Sequence, residues 1–301
     1  MIQNLKLHEV GLRDGLQIEK EIVPFEIKLH WAEKIIESGL DIVQLGSFVN
    51  PAKVPQMADT DKLFEHFKSH PEKKQNKILS GLVLNEKGLE RGLACGVDLF
   101  CMGVSASETH SKKNTGMSRN EALERIINMG KKAIDVGKSV QVSVQSAFGC
   151  GYEGTVPEDT VYNIARKFVE AGFKIISLAD TAGHADPVKV ERMFTELSKL
   201  GNVELAAHFH NTYGLGLVNC YAALKCGVKY FETAFGGLGG CPFTKLSGGN
   251  VATEDFVHLL NRMNMRKDIS VDYITGLSIE AEEFFKREMS SKIYKIGSIP
   301  S

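Results

Sequence analysis

The run Ala207-His208-Phe209-His210 places two imidazoles two positions apart at the end of an apolar segment. On a β-strand that spacing puts both rings on one face. Such a pair is either solvated at a strand end or grips one metal ion. Two distant segments favour the metal: Arg13-Asp14-Gly15 follows the first apolar run, and Gly249-Asn250 follows the last. Asp14, His208, His210 and Asn250 together offer a carboxylate, two imidazoles and an amide oxygen. This mixed N/O set suits a hard divalent cation, Mg²⁺ or Mn²⁺ rather than Zn²⁺, because no thiolate is needed. Four protein ligands leave an octahedral ion two positions for substrate oxygens or water.

Three further residues could act beside such an ion. Arg13 is a salt-bridge partner for Asp14 in the plain reading and, in the sharper one, a charge stabiliser for an enolate or oxyanion. Cys241 sits in Gly239-Gly240-Cys241-Pro242, a mobile-looking loop whose composition does not suit core packing. Its thiol is expected to give or take a proton rather than to act as a redox group. Asp180, in Ala179-Asp180-Thr181, anchors Arg13 or a histidine, or moves a proton itself.

These residues converge only if the chain folds so that strand ends meet. Apolar runs of strand length recur at Leu5–Val10, Asp41–Leu45, Lys77–Val83, Val97–Met102, Ser139–Val144, Lys174–Leu178, Val203–His208 and Lys229–Thr233. Helical patterns lie between them, at Pro24–Ser38, Asn120–Val136, Glu158–Ala171, Pro187–Leu200 and Leu215–Cys226. Alternation of this kind predicts right-handed βαβ units with parallel pairing. A repeat recurs at Ser38-Gly39-Leu40-Asp41, Cys95-Gly96-Val97-Asp98, Ala171-Gly172-Phe173-Lys174 and Cys226-Gly227-Val228-Lys229. Each reads as a helix ended by a left-handed glycine and followed by a strand. Five residues beyond each glycine come Gln44, Cys101, Ser177 and Glu232, expected in equivalent layers near one mouth. A doubly wound sheet would need no equivalent eighth strand, and the chain has neither a GxxxxGK[ST] loop nor a GxGxxG helix start. The prediction is a closed (β/α)8 TIM barrel over residues 1–264, with its site at the C-terminal ends of the strands. Residues 265–301 carry a helical pattern of their own and are too short for an independent core. They are expected to pack on the barrel or on a partner subunit.

Composition narrows the class. Of 301 residues, 43% are hydrophobic and 24% charged, with a formal net charge of −1. That balance gives no general attraction to nucleic acid or to an acidic membrane. No stretch approaches the apolar length of a membrane span, and the N-terminus has no signal-peptide pattern. The six cysteines form no CxxC pair. Cys95, Cys101, Cys220 and Cys226 lie in apolar runs and are expected to be buried thiols, which fits a reducing cytoplasm.

Several runs are specific enough to resemble a known family. They are Glu9-Val10-Gly11-Leu12-Arg13-Asp14-Gly15-Leu16-Gln17, Ser47-Phe48-Val49-Asn50-Pro51, Val54-Pro55-Gln56-Met57-Ala58-Asp59 and Ser177-Leu178-Ala179-Asp180-Thr181. With them come His208-Phe209-His210-Asn211-Thr212-Tyr213-Gly214, Gly237-Leu238-Gly239-Gly240-Cys241-Pro242 and Asn250-Val251-Ala252-Thr253-Glu254-Asp255. The chain resembles the 3-hydroxy-3-methylglutaryl-CoA lyases, within a wider group of metal-dependent barrels that make or break C–C bonds beside an acyl-CoA. The resemblance implies Asp14, His208, His210 and Asn250 as metal ligands, Arg13 as enolate stabiliser and Cys241 as the loop thiol of proton transfer. Gln44 and Asp180 are placed with the catalytic group, and Gln17, Ser47, Ser143 and Ser177 with the substrate. Ser107 and the basic loop Lys112-Lys113-Asn114 are candidates for holding coenzyme A, although a lysine pair is often only solvated.

Three positions depart from the family pattern. Members carry Glu where this chain has Gln44, Arg where it has Gln141, and an aromatic hydroxyl where it has Ser143. The implied reaction is cleavage of a 3-hydroxyacyl-CoA, 3-hydroxy-3-methylglutaryl-CoA or a close analogue, by a cytoplasmic homodimer. Two other readings stay open. One is a Claisen-type synthase joining acetyl-CoA to a 2-oxo acid; the other is a catalytically silent metal-binding barrel, for which Gln44 speaks.

Overall fold

Strand and helix alternate until the sheet meets its own first edge. The computed structural model describes residues 5–240 and 249–299. Its strands are β1 (Lys6–Glu9), β2 (Ile42–Ser47), β3 (Ile78–Leu82), β4 (Leu99–Ser105), β5 (Ser139–Gln145), β6 (Ile175–Asp180), β7 (Glu204–Phe209) and β8 (Tyr230–Thr233). All pair in parallel in chain order, and β8 closes on β1 with His8 opposite Glu232. All eight expected strands form.

The four repeat glycines take positive φ, from +83° to +98°, at Gly39, Gly96, Gly172 and Gly227. A Cβ at such angles strains the backbone, so glycine there is what lets each helix stop and the chain turn into a strand.

Two apolar cores divide the packing. The larger lies between the strands and the surrounding helices; from Phe25–Glu37 it takes Trp31, Ala32, Ile35 and Ile36. The smaller fills the barrel near the strand starts with Ile42, Leu99, Cys101, Ala206 and Tyr230. Other interior positions are polar: His8 Nε2 and Ser80 Oγ lie 2.7 Å apart, and Gln44, Gln141, Ser177 and Glu232 are all buried. Apolar at one end and polar above it, the interior forms a stopper beneath a polar cup.

Helices Thr60–Ser69, Glu86–Cys95 and Thr253–Arg262 join the five expected ones. Lys112 and Lys113 lie on a helix, Glu108–Thr115, and not in the expected loop, because Ser107 caps that helix by accepting from the His110 N–H at 3.0 Å. Beyond residue 265, helix Val271–Phe285 packs on Phe25–Glu37: Phe284 meets Trp31 edge-on at 6.2 Å, and Trp31 Nε1 donates to Glu280 at 3.0 Å. Cys95, Cys101 and Cys220 are buried as expected, whereas Cys226 is only half-buried because it ends its helix at the surface.

Candidate metal centre

A wide helical turn, Gly11–Gly15, follows β1 and turns Arg13 and Asp14 over the barrel mouth. β7 ends beside it and brings His208 and His210 to the same point. The strand order makes this possible, since β7, β8 and β1 are consecutive around the barrel. Ligand atoms of Asp14, His208 and His210 all lie within 4.8 Å of one another. His208 Nε2 and His210 Nε2 are 3.1 Å apart, and Asp14 Oδ2 is 3.8 and 3.6 Å from them.

Asn250 completes the group. Its Nδ2 donates to Asp14 Oδ2 at 2.9 Å and to the Leu238 carbonyl at 3.0 Å. Its Oδ1 is buried and has no partner among the described residues. A buried amide oxygen without a donor is costly unless a cation or water meets it. One carboxylate, two imidazoles and that orphaned oxygen therefore fit a hard divalent ion.

Charge is arranged around the same point. Arg13 donates Nε to Gln44 Oε1 and Nη1 to Asp14 Oδ1. Burial pushes the Asp14 carboxyl up, but Arg13 and the two histidines outweigh it and hold the group well below the usual carboxylate range. Glu232 Oε2 accepts from His208 Nδ1 at 2.8 Å, and Glu232 Oε1 accepts from Gln141 Nε2. Burial opposes the Glu232 charge, yet the bond and charge of His208, with His8 and Arg13, bring its pKa down to about 2. Burial alone would lower His208, and Glu232 and Asp14 reverse that and raise it. Cys101, pushed up to about 12 by burial, stays a thiol.

These groups open into a cavity of about 230 Å³ walled by Arg13, Asp14, Gln17, Gln44, Gln141, Ser143, His208, His210 and Glu232. Leu82, Leu84 and Met102 give it an apolar side. Of the four residues expected in equivalent layers, Gln44, Cys101 and Glu232 reach the cavity, whereas Ser177 is fully buried and does not line it. Ser47 is also buried behind the wall, with its hydroxyl turned to the Leu82 carbonyl at 3.4 Å.

Asp180 is placed differently from expectation. Its two oxygens accept from the backbone N–H groups of His184 at 2.8 Å and Ala185 at 3.1 Å, so it fastens the turn after β6 instead of holding Arg13 or a histidine. Burial lifts its pKa to about 6. Ser107 is tied up as a helix cap. Lys112 pairs with Glu108 at 3.4 Å, and Lys113 lies 3.9 Å over the Tyr152 ring. None of the three lines the cavity. Cys241 lies outside the described residues. Sequence reasoning gave neither Gln141 nor Glu232 a role, although the spacing after Gly227 put Glu232 at the mouth and Gln141 stood out as a departure from the family pattern.

The chain matches the model of the HMGL-like family over residues 4–279. It belongs to that family. Hydroxymethylglutaryl-CoA lyase YngG of Bacillus subtilis is 32% identical over 291 residues, covering 96% of each chain. The mitochondrial hydroxymethylglutaryl-CoA lyase of Mus musculus is 35% identical over 296 residues, covering 97% of this chain and 89% of its own. Among solved structures, the Bacillus subtilis HMG-CoA lyase superposes with a TM-score of 0.92 at 32% identity, over 97% of each chain. An HMG-CoA lyase from Acinetobacter baumannii, in complex with coenzyme A and 3-methylmalate, gives 0.90 at 32% identity over 98% of each. Family and barrel architecture thus agree with the reading from the residues.

Proposed function

We propose that this member of the family is a divalent-metal-dependent carbon–carbon lyase that cleaves 3-hydroxy-3-methylglutaryl-CoA to acetyl-CoA and acetoacetate. The observation that carries the reading is the convergence of Asp14, His208, His210 and the orphaned Asn250 Oδ1 beside Arg13 in one cavity. These four residues would hold the ion, Mg²⁺ or Mn²⁺, and when bound it supplies Lewis-acid polarisation of the substrate's hydroxyl and carbonyl oxygens.

The chain's own residues do the rest. The proton of the substrate's tertiary hydroxyl passes to a basic group of the wall, where the Asp14 carboxylate stands. The bond between C2 and C3 then breaks; its electron pair becomes the enolate of acetyl-CoA, and C3 becomes the ketone of acetoacetate. Arg13, kept in place through Nε and Nη1, faces the enolate oxygen with fixed positive charge. Cys241 returns a proton to the enolate carbon. Gln17, Gln44 and Ser143 contact the acyl part, and the coenzyme A arm leaves through the mouth. The free thiols among the described residues suit a reducing cytoplasm.

The test is product identification by mass spectrometry after mixing the protein with 3-hydroxy-3-methylglutaryl-CoA and Mn²⁺, and separately with acetyl-CoA, a set of 2-oxo acids and Mn²⁺. Acetyl-CoA with acetoacetate from the first mixture, and no new thioester-derived acid from the second, is the expected result. Condensation in the second mixture alone would establish a synthase instead.

A further inference from the structure

The floor of the cup holds a hydrogen-bond chain that neither the family match nor the expected ligand set assigns. Gln141 on β5 reaches across the barrel to Glu232 on β8, and Glu232 reaches His208 on β7. Gln141, Glu232 and His208 are 2%, 7% and 6% exposed, so water competes little for these bonds. The polarity of the chain is determined at its centre. An ionised carboxylate only accepts, so Gln141 must turn its amide N–H₂ toward Glu232 and His208 must carry its proton on Nδ1. The consequence at the other side of the neutral ring is that Nε2 keeps its lone pair. Nε2 is the atom that lies 3.1 Å from His210 Nε2 and 3.8 Å from Asp14 Oδ2.

We propose that Glu232, oriented by Gln141, is a positioning residue that fixes His208 in its Nδ1–H form and so keeps Nε2 open to a divalent cation. The need for it is visible in the surroundings. Asp14 Oδ2 faces Nε2 as an acceptor at 3.8 Å, so a ring without Glu232 is drawn to place its proton on Nε2, toward that carboxylate, where it blocks ligation. Gln141 makes the second half of the device. Its N–H satisfies the other Glu232 oxygen and holds the carboxylate pointing at Nδ1, while its own Oε1 has no partner among the described residues. Partners outside the immediate ligand shell orient metal-binding histidines in this way, and their loss commonly costs ~10–100-fold in metal affinity. This inference rests on the metal site proposed above.

The test reads the ring directly. Full-length protein labelled with ¹⁵N-histidine is stripped of metal and its tautomers are recorded by ¹⁵N NMR at pH 8.5, with His208→Gln used only for assignment. Mn²⁺ affinity is measured by calorimetry on the same samples, and circular dichroism melting checks folding. The wild-type ring is expected as Nδ1–H. Glu232→Met is expected to move the proton to Nε2 and weaken Mn²⁺ binding ~10–100-fold. The double variant Glu232→Gln with Gln141→Glu transfers the charge by one residue: the carboxylate introduced on β5 would accept from the new amide on β8, whose oxygen then faces Nδ1. It is expected to restore the Nδ1–H ring and Mn²⁺ affinity to within about threefold of wild type.

A Glu232→Met protein that keeps both the Nδ1–H ring and wild-type Mn²⁺ affinity would overturn the proposal. Should Glu232→Met not fold, the double variant decides: an Nδ1–H ring supports the device, and an Nε2–H ring contradicts it. Wild-type protein that takes up no Mn²⁺ would instead remove the metal site itself, with the ring's tautomer still reporting separately on Glu232.

Discussion

Asn250 Nδ2 donates to Asp14 Oδ2 at 2.9 Å, joining the turn after β1 to the segment after β8 across the line where the barrel closes. The bond uses one oxygen of Asp14, and Arg13 uses the other. Both partners are expected to serve a metal ion, but unequally, because only Asp14 brings charge. Asp14→Asn should lower Mn²⁺ affinity more than about 100-fold and abolish lyase turnover, while Asn250→Ala should cost about 10-fold in affinity. Calorimetry with Mn²⁺ on the two variants checks the order; equal losses would contradict it.

Gly239 approaches that pair from above with φ at +104°, and a Cβ there would sit 2.7 Å from Asn250 Nδ2. Gly239→Ala therefore strains the backbone and pushes Asn250 off Asp14. The expected outcome is kcat reduced about 10-fold or more, with the melting temperature changed little compared with a core deletion. Steady-state kinetics beside thermal melting measures both.

Gln44 accepts from Arg13 Nε, so that edge of the guanidinium meets an amide oxygen and not a carboxylate. Gln44→Glu would add one, in a cavity whose wall also carries the neutral Gln141. The variant should bind substrate with a similar KM and turn it over about 10-fold more slowly, because Arg13 then offers less charge to the enolate. An increase in kcat would show that Gln44 is a retuned position rather than a supporting one.

Glu9 lies beneath the turn that leads to Asn250. Its Oε1 accepts from the N–H groups of Gly11 at 2.7 Å and Phe235 at 3.1 Å, and its other oxygen meets Thr253. Burial raises its pKa from 4.5 to about 8, and the same cause raises Glu254 to about 7. A carboxyl whose folded pKa is raised holds its proton longer in the folded state than in the unfolded one. Stability then falls as pH rises above 4.5, by up to about 1.4 kcal/mol per pH unit for each group, and levels off once the folded pKa is passed. Glu9→Gln keeps the accepting oxygen and supplies an N–H to Thr253. Denaturant unfolding from about pH 5 to about pH 9 should show a shallower decline for this variant than for the wild type; parallel curves would refute the assignment.

The strands were legible because a buried parallel barrel writes them as short apolar runs, and β2, β4, β6 and β8 are each announced by a glycine helix stop. The ligand positions were legible for the same reason, since strand order makes β7, β8 and β1 neighbours. Helix Thr60–Ser69 was not, because Leu63, Phe64 and Phe67 are the only apolar residues of its buried face and charged residues surround them. The bond from Gln141 through Glu232 to His208 spans three strands, and its existence depends on side-chain reach inside the barrel, which spacing along the chain does not encode. Asp180 misled for the opposite reason. Its partners, the N–H groups of His184 and Ala185, are so close in sequence that a local backbone role outweighed the distant one suggested by its strand end.

Whether this chain is a metal-dependent lyase is read most directly by a Mn²⁺ titration of chelator-stripped protein, following acetoacetate release from 3-hydroxy-3-methylglutaryl-CoA while bound metal is measured in parallel. The expected result is no release without metal and a rate that rises in proportion to occupancy, saturating at one ion per chain. Full release before metal is added, or one bound ion per chain with no release, would show the proposed activity to be wrong.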